Sequence, residues 1–264
     1  MIIGHQKEQE YLKKIINEYE RGAFMLVGAE GVGKFYTIKT LLQELKQDNE
    51  VIILDSEDKI IKLSTAHLIQ NLLSYSTPNR RFIVLNDAHK LNKEAQNALL
   101  KIVEEIKTKA LLFFVTHRPF KIYPTIRSRM QKIYFKLVPN QEIYNYLKSQ
   151  NVKEKTINLL LEFFPGKIGK IIDILKNKER FNLVAKIFFG KDIFEKLLTV
   201  EEIDQNMDLE EFIKYLIFFE RAKLLKGDKS AINRIKFLES IYQDSDYFLN
   251  RELQISNLIM NLYG

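Results

Sequence analysis

In the first half of the chain, short runs of uninterrupted apolar residues alternate with longer segments whose apolar residues recur every three or four positions. Uninterrupted runs of this length are typical of strands buried on both faces, and the longer spacing predicts amphipathic helices. Strands that alternate with helices favour a parallel sheet covered by helices on both faces. The predicted strands are Ala23–Val27, Val51–Leu54, Phe82–Leu85, Leu111–Val115 and Lys132–Phe135.

The periodic segments predict the helices. In the first half they are Glu8–Tyr19, a helix from the glycine-rich turn through Leu45, a helix around Ala66–Leu73, and Lys93–Ile106. From Pro139 onward no strand-like run recurs, and the predicted helices are Glu142–Ser149, Lys155–Phe164, Gly169–Leu175 and longer helices to Tyr263. The sequence therefore predicts an α/β first half and an all-α second half.

Composition narrows the functional classes. Of the 264 residues, 46% are hydrophobic and 28% are charged, which is enough for a large core and for two or three structural units. No apolar run reaches the ~18 residues of a membrane span, and the first residues lack the order of a signal peptide, so we expect a cytoplasmic protein without membrane contact. The absence of cysteine excludes disulfides, zinc ribbons and thiol catalysis. The histidines His5, His67, His89 and His117 are scattered without ligand spacing, so no metal site is expected.

The positive charge is concentrated in the first half. Residues 1–138 contain 22 Lys and Arg against 15 Asp and Glu, whereas residues 139–264 contain 19 of each kind. Such an asymmetry suits a surface that faces polyphosphate or a nucleic-acid backbone. A solvated lysine-rich face is the alternative, and charge alone favours it.

The segment G-A-E-G-V-G-K-F, at Gly28–Phe35, is nearly a phosphate-binding loop. In such a loop, glycines allow backbone N–H groups to surround a phosphate at a helix N-terminus, and a lysine adds a positive charge. Gly28, Gly33 and Lys34 have the required spacing, but Phe35 stands where a Ser or Thr hydroxyl would bind Mg²⁺. The loop is therefore expected to lack part of its chemistry.

Two interpretations of this loop remain open. Gly28, Gly31, Gly33 and Lys34 are able to bind the phosphates of ATP or ADP weakly, without metal and without turnover. Alternatively, the segment is only a turn between a strand and a helix. Asp87 and Thr116 also follow predicted strands, so we expect both to lie near the loop at the carboxyl edge of the sheet.

Two longer segments carry a family resemblance. The sequence I-V-L-N-D-A-H-K-L-N-K-E-A-Q-N-A-L-L-K-I-V-E-E, at Ile83–Glu105, is followed by P-T-I-R-S-R-M-Q at Pro124–Gln131. Together they resemble the AAA+ clamp-loader family, and more narrowly the delta-prime subunits of bacterial DNA polymerase III. The chain departs from those subunits because it lacks their four-cysteine zinc module. The resemblance implies an AAA+ module at 1–138, a helical lid at 139–178 and a helical collar at 179–264.

The resemblance also assigns roles to single positions. ATP-hydrolysing members have an acidic pair where this chain has Asn86 and Asp87, and they have a sensor arginine where it has Gly169. Thr116 matches a polar sensor position. Because the Mg²⁺ hydroxyl, the metal-shell carboxylate, the water-orienting glutamate and the sensor arginine are absent or altered, we expect no ATP hydrolysis by this chain alone.

Ser128 and Arg129 match the family's S-R turn, which projects an arginine into the ATP site of an adjacent subunit. The resemblance thus implies a role for Arg129 in trans, with Ser128 in the same turn, whereas the spacing alone is equally compatible with an ordinary surface cation. The implied partners are gamma/tau-like ATPase subunits, a delta-like subunit, the sliding clamp and primer-template DNA. Two other functions remain open: an autonomous AAA+ NTPase that acts on DNA, and an inert AAA+ scaffold unrelated to replication.

Overall fold

The computed structural model describes residues 2–45, 49–55, 60–75, 78–190, 192–244 and 251–263. The chain divides into two compact units, Met1–Ile171 and Ile172–Gly264. The finer division of the first unit into an α/β module and a lid stays a prediction. In the part of the chain that is described, no helix is both long enough and apolar enough to cross a membrane.

The first unit contains a parallel sheet of five strands in the order β2-β3-β4-β1-β5. The strands are β1 (Gly22–Gly28), β2 (Glu50–Leu54), β3 (Arg81–Leu85), β4 (Ala110–Thr116) and β5 (Gln131–Phe135). These bounds agree with the predicted strands to within one residue, which confirms the parallel α/β fold. Because β4 pairs with both β3 and β1, the carboxyl ends of these three strands are neighbours.

Helices cover both faces of this sheet. The helices that begin before residue 171 are α1 (Gln6–Glu18), α2 (Lys34–Gln43), α3 (Leu63–Ser74), α4 (Lys93–Glu104), α5 (Pro124–Arg127), α6 (Asn140–Ser149), α7 (Glu154–Phe163) and α8 (Ile168–Lys176). Phe113 belongs to a core cluster with residues of α1 and α2, and the next residue, Phe114, belongs to a cluster with residues of α3 and α4. Successive strand residues point to opposite faces, so the central strand β4 is buried throughout, whereas the edge strand β5 has exposed residues.

Among its described residues the second unit contains helices and no strand, as predicted. Its helices are α9 (Lys178–Phe189), α10 (Ile193–Leu198), α11 (Val200–Asn206), α12 (Leu209–Leu225), α13 (Ala231–Asp244) and α14 (Arg251–Tyr263). The rings of Phe188 and Phe219 stack with centroids 4.8 Å apart. Glu220, which is fully buried, accepts hydrogen bonds from Arg234 Nε at 2.7 Å and from the hydroxyl of Tyr263 at 3.1 Å. A buried carboxylate needs such partners, and these join α12, α13 and α14.

Candidate nucleotide loop and surface arginine

The glycine-rich loop, Asp87 and Thr116 lie at the carboxyl edge of the sheet, as the sequence predicts. The loop follows β1, Asp87 follows β3, and Thr116 ends β4. Thr116 is directly opposite Val27 in the pairing of β4 with β1. Ligands of open parallel sheets bind at this edge.

The backbone of the loop requires glycine at several positions. Gly31 and Gly33 have φ angles of 79° and 104°, which residues with a side chain rarely adopt. A Cβ atom at Gly28 would lie 2.4 Å from the carbonyl oxygen of Phe135 in the adjacent strand β5. Helix α2 then begins at Lys34. The loop has the strand-to-helix course of a phosphate-binding loop.

Lys34 is turned onto the loop's own backbone. Its ammonium group donates hydrogen bonds to the carbonyl oxygens of Gly28 at 2.9 Å and Ala29 at 2.7 Å, and the residue is only 6% exposed. Burial lowers the pKa of Lys34 to about 8, although Asp87 and Glu30 oppose the shift. A phosphate would therefore have to draw Lys34 away from two carbonyl groups.

The beginning of helix α8 packs directly on the loop. The backbone N–H of Gly169 donates to the carbonyl oxygen of Gly31 at 2.7 Å, and Lys170 forms an ion pair with Glu30 at 3.3 Å. A Cβ at Gly169 would lie 2.9 Å from that carbonyl oxygen, and one at Gly31 would lie 2.7 Å from Cγ of Lys170. An arginine at position 169 is incompatible with this contact unless the helix or the loop moves.

Phe35 and Asn86 stand at the two positions where a Mg²⁺ site would need oxygen ligands, and both side chains contact protein groups instead. The ring of Phe35 packs against the core cluster under α1 and α2, and the ammonium of Lys39 lies 5.7 Å from its centroid. The side-chain amide of Asn86 donates to Asp55 at 2.8 Å. The side chains at these positions thus support packing and strand-end contacts rather than metal binding.

Two histidines that the sequence analysis treated as scattered lie side by side. The rings of His89 and His117 have centroids 4.2 Å apart, and with Asp87 they offer three ligand atoms that all lie within 4.8 Å of one another. Burial lowers the pKa of His89 to about 4 and also lowers the pKa of His117. The expectation of scattered histidines is wrong here because both follow the carboxyl ends of adjacent strands. The predicted strand ends place both histidines at one edge of the sheet, but they do not show which strands are neighbours.

Arg129 is on the surface just after α5. One guanidinium nitrogen lies 2.7 Å from a carboxylate oxygen of Glu104, and another donates to the carbonyl oxygen of Thr125 at 2.8 Å. Its side chain is 39% exposed. The Ser128 hydroxyl donates to the same Thr125 oxygen at 3.1 Å. The arginine is therefore accessible, but it is held by partners on its own chain.

Sequence reasoning did not find the residue that fixes the segment before Arg129. Gln96, on helix α4, is 3% exposed and donates to the carbonyl oxygens of Leu91 at 3.0 Å and Lys121 at 3.1 Å. Its side-chain oxygen accepts from the N–H of Tyr123 at 2.7 Å, directly before α5. The signal was the polar residue in E-A-Q-N-A-L-L-K, which stands on the apolar face of an amphipathic helix.

Comparisons with known proteins agree with this fold and these motifs. A family model described as DNA polymerase III, delta subunit, matches residues 39–139. A solved gamma subunit-related protein of DNA polymerase III from Thermotoga maritima has the same fold, with a TM-score of 0.64 and 17% identity over 97% of this chain and 98% of that one.

Three relatives of known sequence match different shares of this chain. Replication factor C subunit 5 of Homo sapiens is 22% identical over 82% of this chain and 65% of its own length. A putative replication factor C small subunit of Acanthamoeba polyphaga mimivirus is 25% identical over 92% of this chain and 67% of its own length. DNA polymerase III subunit delta' of Buchnera aphidicola is 37% identical over 31% of this chain and 25% of its own length. The chain spans 55% to 67% of the length of the first few curated relatives. These matches show that the chain is similar in sequence to clamp-loader subunits of the AAA+ family.

Proposed function

We propose that this chain is a delta-prime-like clamp-loader subunit that does not hydrolyse ATP and that places Arg129 in the ATP site of an adjacent ATPase subunit. The observation that carries the proposal is a contrast within one α/β unit. Lys34 is bonded to the carbonyl groups of its own loop, whereas Arg129 is accessible at the surface. Cytoplasmic DNA replication is the setting that this function implies.

The state of the loop supports the absence of hydrolysis. Phosphoryl transfer depends on positioning and on neutralising charge, for which ATPases use a metal ion, its ligands and positive side chains. In this chain Phe35 and Asn86 offer no anionic or hydroxyl ligand, and Gly169 offers a backbone contact instead of a guanidinium. Nucleotide that does bind is therefore expected to bind weakly and without turnover.

The surroundings of Arg129 support a role in trans. Its ion pair with Glu104 is between side chains that are 39% and 48% exposed, and such exposed pairs contribute only about 0–1 kcal/mol. A γ-phosphate of a neighbouring subunit carries more charge and accepts several charge-assisted hydrogen bonds from a guanidinium. Exchange of Glu104 for such a phosphate is thus favourable once the neighbour is docked.

The proposed partners follow from the family and from the charge. Among the relatives are proteins named DNA polymerase III subunit gamma/tau and subunit delta', so we assign gamma/tau-like and delta-like subunits as neighbours and the sliding clamp as the cargo. The net charge of +7 arises in residues 1–138, and it suits contact with the backbone of primer-template DNA. Such contact is independent of base sequence and weakens with salt.

The test is reconstitution with the cognate ATPase subunits. Arg129→Ala should reduce ATP turnover at the adjacent site by about 10³-fold or more, as loss of an arginine finger does elsewhere. Arg127→Ala is the matched control because Arg127 is two residues away and lies over the ring of Phe120, at 5.2 Å from its centroid. Clamp loading onto primed DNA is measured in the same complexes, together with the stability of each variant.

Three results would overturn the proposal. Unchanged ATPase activity and clamp loading with Arg129→Ala would remove the role in trans. Mg²⁺-dependent turnover by the isolated chain, abolished by Lys34→Ala, would instead indicate an autonomous NTPase. A chain that binds none of the ATPase subunits would be a scaffold of another kind.

A further inference from the structure

A cluster of metal-ligand side chains stands beside the glycine loop, and the proposed function does not use it. Asp87, His89 and His117 each offer one ligand atom, and the three atoms lie within 4.8 Å of one another. The two imidazole rings meet edge to face with centroids 4.2 Å apart. All three residues are half-buried, so an ion is able to reach them from solvent.

The fold brings these side chains together through the sheet and a turn. β3 and β4 are hydrogen-bonded neighbours, and their carboxyl ends are followed by Asp87 and His117 respectively. Asp87 has a φ of 48° and starts the 3-10 turn Ala88–Lys90, which carries His89 back over the strand end. Three ligands thus come from two strand ends of a rigid sheet.

We propose that Asp87, His89 and His117 form a binding site for a single divalent ion of the zinc class, with a fourth position open to water or to an anion. Two imidazoles and one carboxylate are the donors that Zn²⁺, Co²⁺ and Ni²⁺ prefer, whereas Mg²⁺ prefers oxygen ligands alone. The ion binds without nucleotide, which separates this site from an ordinary Mg²⁺–ATP site.

The present distances fit an open form of such a site. Bonds of about 2.0–2.1 Å in a tetrahedral ion separate the ligand atoms by about 3.4 Å. Closing from at most 4.8 Å requires a movement of about 1.4 Å or less between any two ligand atoms. Rotations of half-buried side chains on turns provide such a movement without a change in the sheet.

Thr116 orients one of the imidazoles. Its side chain is 1% exposed, and its oxygen accepts from the N–H of Arg118 at 3.0 Å and lies 3.4 Å from Nδ1 of His89. When Nδ1 of His89 carries the proton and donates to this oxygen, the Nε2 lone pair is available for the ion. A buried partner on the second nitrogen is the usual way in which proteins fix a metal-binding histidine.

Three cations and the carboxylate of Glu30 lie close enough to act on the charges of the site. Lys90 forms an ion pair with Asp87 at 3.2 Å, and Lys34 and Arg118 lie close enough to act on the charge of His117. Lys90 competes with the metal for Asp87. Lys90 is the cation that the ion has to displace.

The experiment is a metal titration of the purified full chain without nucleotide. Binding of Zn²⁺ is measured by calorimetry, and binding of Co²⁺ is measured by its visible ligand-field bands. We expect a single ion per chain, bands of a four-coordinate Co²⁺ ion, and no heat with Mg²⁺ at the same concentrations. His89→Ala and His117→Ala should each weaken binding by more than the roughly 10- to 100-fold that loss of an outer partner costs. Lys90→Met should tighten it by up to about fivefold, because the ion pair of Lys90 with Asp87 no longer competes.

His67→Ala is the matched control, since His67 is exposed on α3 and distant in sequence from the cluster. Circular dichroism of each variant shows whether it is folded. Lys90→Met removes no metal ligand, so its expected tighter binding tests the site even where a histidine variant does not fold. Zn²⁺ affinity that is equal in the wild type, His117→Ala and Lys90→Met would overturn the site. Binding that is lost with His67→Ala would do the same. None of these readouts involves ATP, so they stand apart from the test of Arg129.

Discussion

Gln96 offers the sharpest test of how the fold positions the surface arginine. We expect Gln96→Met, which keeps the volume of the side chain but removes its polar atoms, to loosen the segment from Lys121 to Arg129. The substitution takes hydrogen-bond partners from the carbonyl groups of Leu91 and Lys121 and from the N–H of Tyr123. Helix α4 and the segment that leads to Arg129 then lack the hydrogen bonds of Gln96 and keep only the exposed ion pair of Glu104 with Arg129 among the contacts described above.

The magnitude follows from these three bonds. A net hydrogen bond contributes about 1 kcal/mol, and a buried polar group left without a partner costs about 1–3 kcal/mol. Since Gln96 is 3% exposed and one of its bonds is fully buried, we expect the free energy of unfolding to fall by about 2–4 kcal/mol. Gln70→Met is the matched control, because Gln70 contributes one bond to the same helix, from Nε2 to the carbonyl oxygen of Ala98 at 2.8 Å. It should cost about 1 kcal/mol.

Two measurements check this expectation. Urea unfolding followed by circular dichroism gives the difference in stability between the two variants. Amide hydrogen exchange should be faster at residues 121–129 in Gln96→Met alone, and the reconstituted ATPase should fall with it as the position of Arg129 is lost. If the two variants have the same stability and the same exchange at residues 121–129, Gln96 does not hold this segment and the reasoning is refuted.

Three further outcomes follow from individual contacts. Burial lowers the pKa of Lys34 from 10.5 to about 8, so the unfolded chain binds more protons than the folded chain between these pH values, and stability rises with pH. In urea unfolding, the free energy of unfolding of the wild type should rise by about 2 kcal/mol relative to that of Lys34→Met between about pH 7 and about pH 9.5. Glu104→Gln should cost less than about 1 kcal/mol and should not lower the ATPase of the reconstituted complex, because it only releases the arginine. Gly28→Ala should lower the free energy of unfolding by about 3 kcal/mol or more, since its Cβ would lie 2.4 Å from a backbone oxygen of β5. Gly227→Ala is the control: its φ is 101° and no atom lies within 4 Å of its Cβ, so it should cost only about 1–2 kcal/mol. Thermal unfolding measures both variants.

The sheet could be predicted from the sequence because both of its faces are covered. Residues such as Phe113 and Phe114 are adjacent in sequence and are buried on opposite faces, so a central strand such as β4 is an apolar run with clear ends. Helix ends were less accurate: α4 was predicted to reach Ile106 and ends at Glu104. The short helix α5 was not predicted, since four residues are too few for a periodic signal.

The sequence predicted only those residues of the candidate site that directly follow a predicted strand. The glycine loop, Asp87 and Thr116 all follow strands, and a parallel sheet brings strand ends to one edge. The pairing of His89 with His117 depends on which strands are neighbours in the sheet, and the amide of Gly169 reaches the loop through tertiary packing. No spacing along the chain carries that information.

The glycine loop illustrates how a motif persists in a structure for reasons other than its chemistry. A Cβ at Gly28 would overlap the backbone of β5, and one at Gly31 would overlap Lys170 at the start of α8. Packing alone therefore demands glycine at two of the loop's positions, whether or not a phosphate ever binds there. Packing constrains Gly169 as well, since a Cβ there would lie 2.9 Å from the carbonyl oxygen of Gly31. The missing hydroxyl at Phe35 is not demanded by such a backbone contact, so the side chain at that position carries the evidence about hydrolysis. The glycines carry evidence only about the turn.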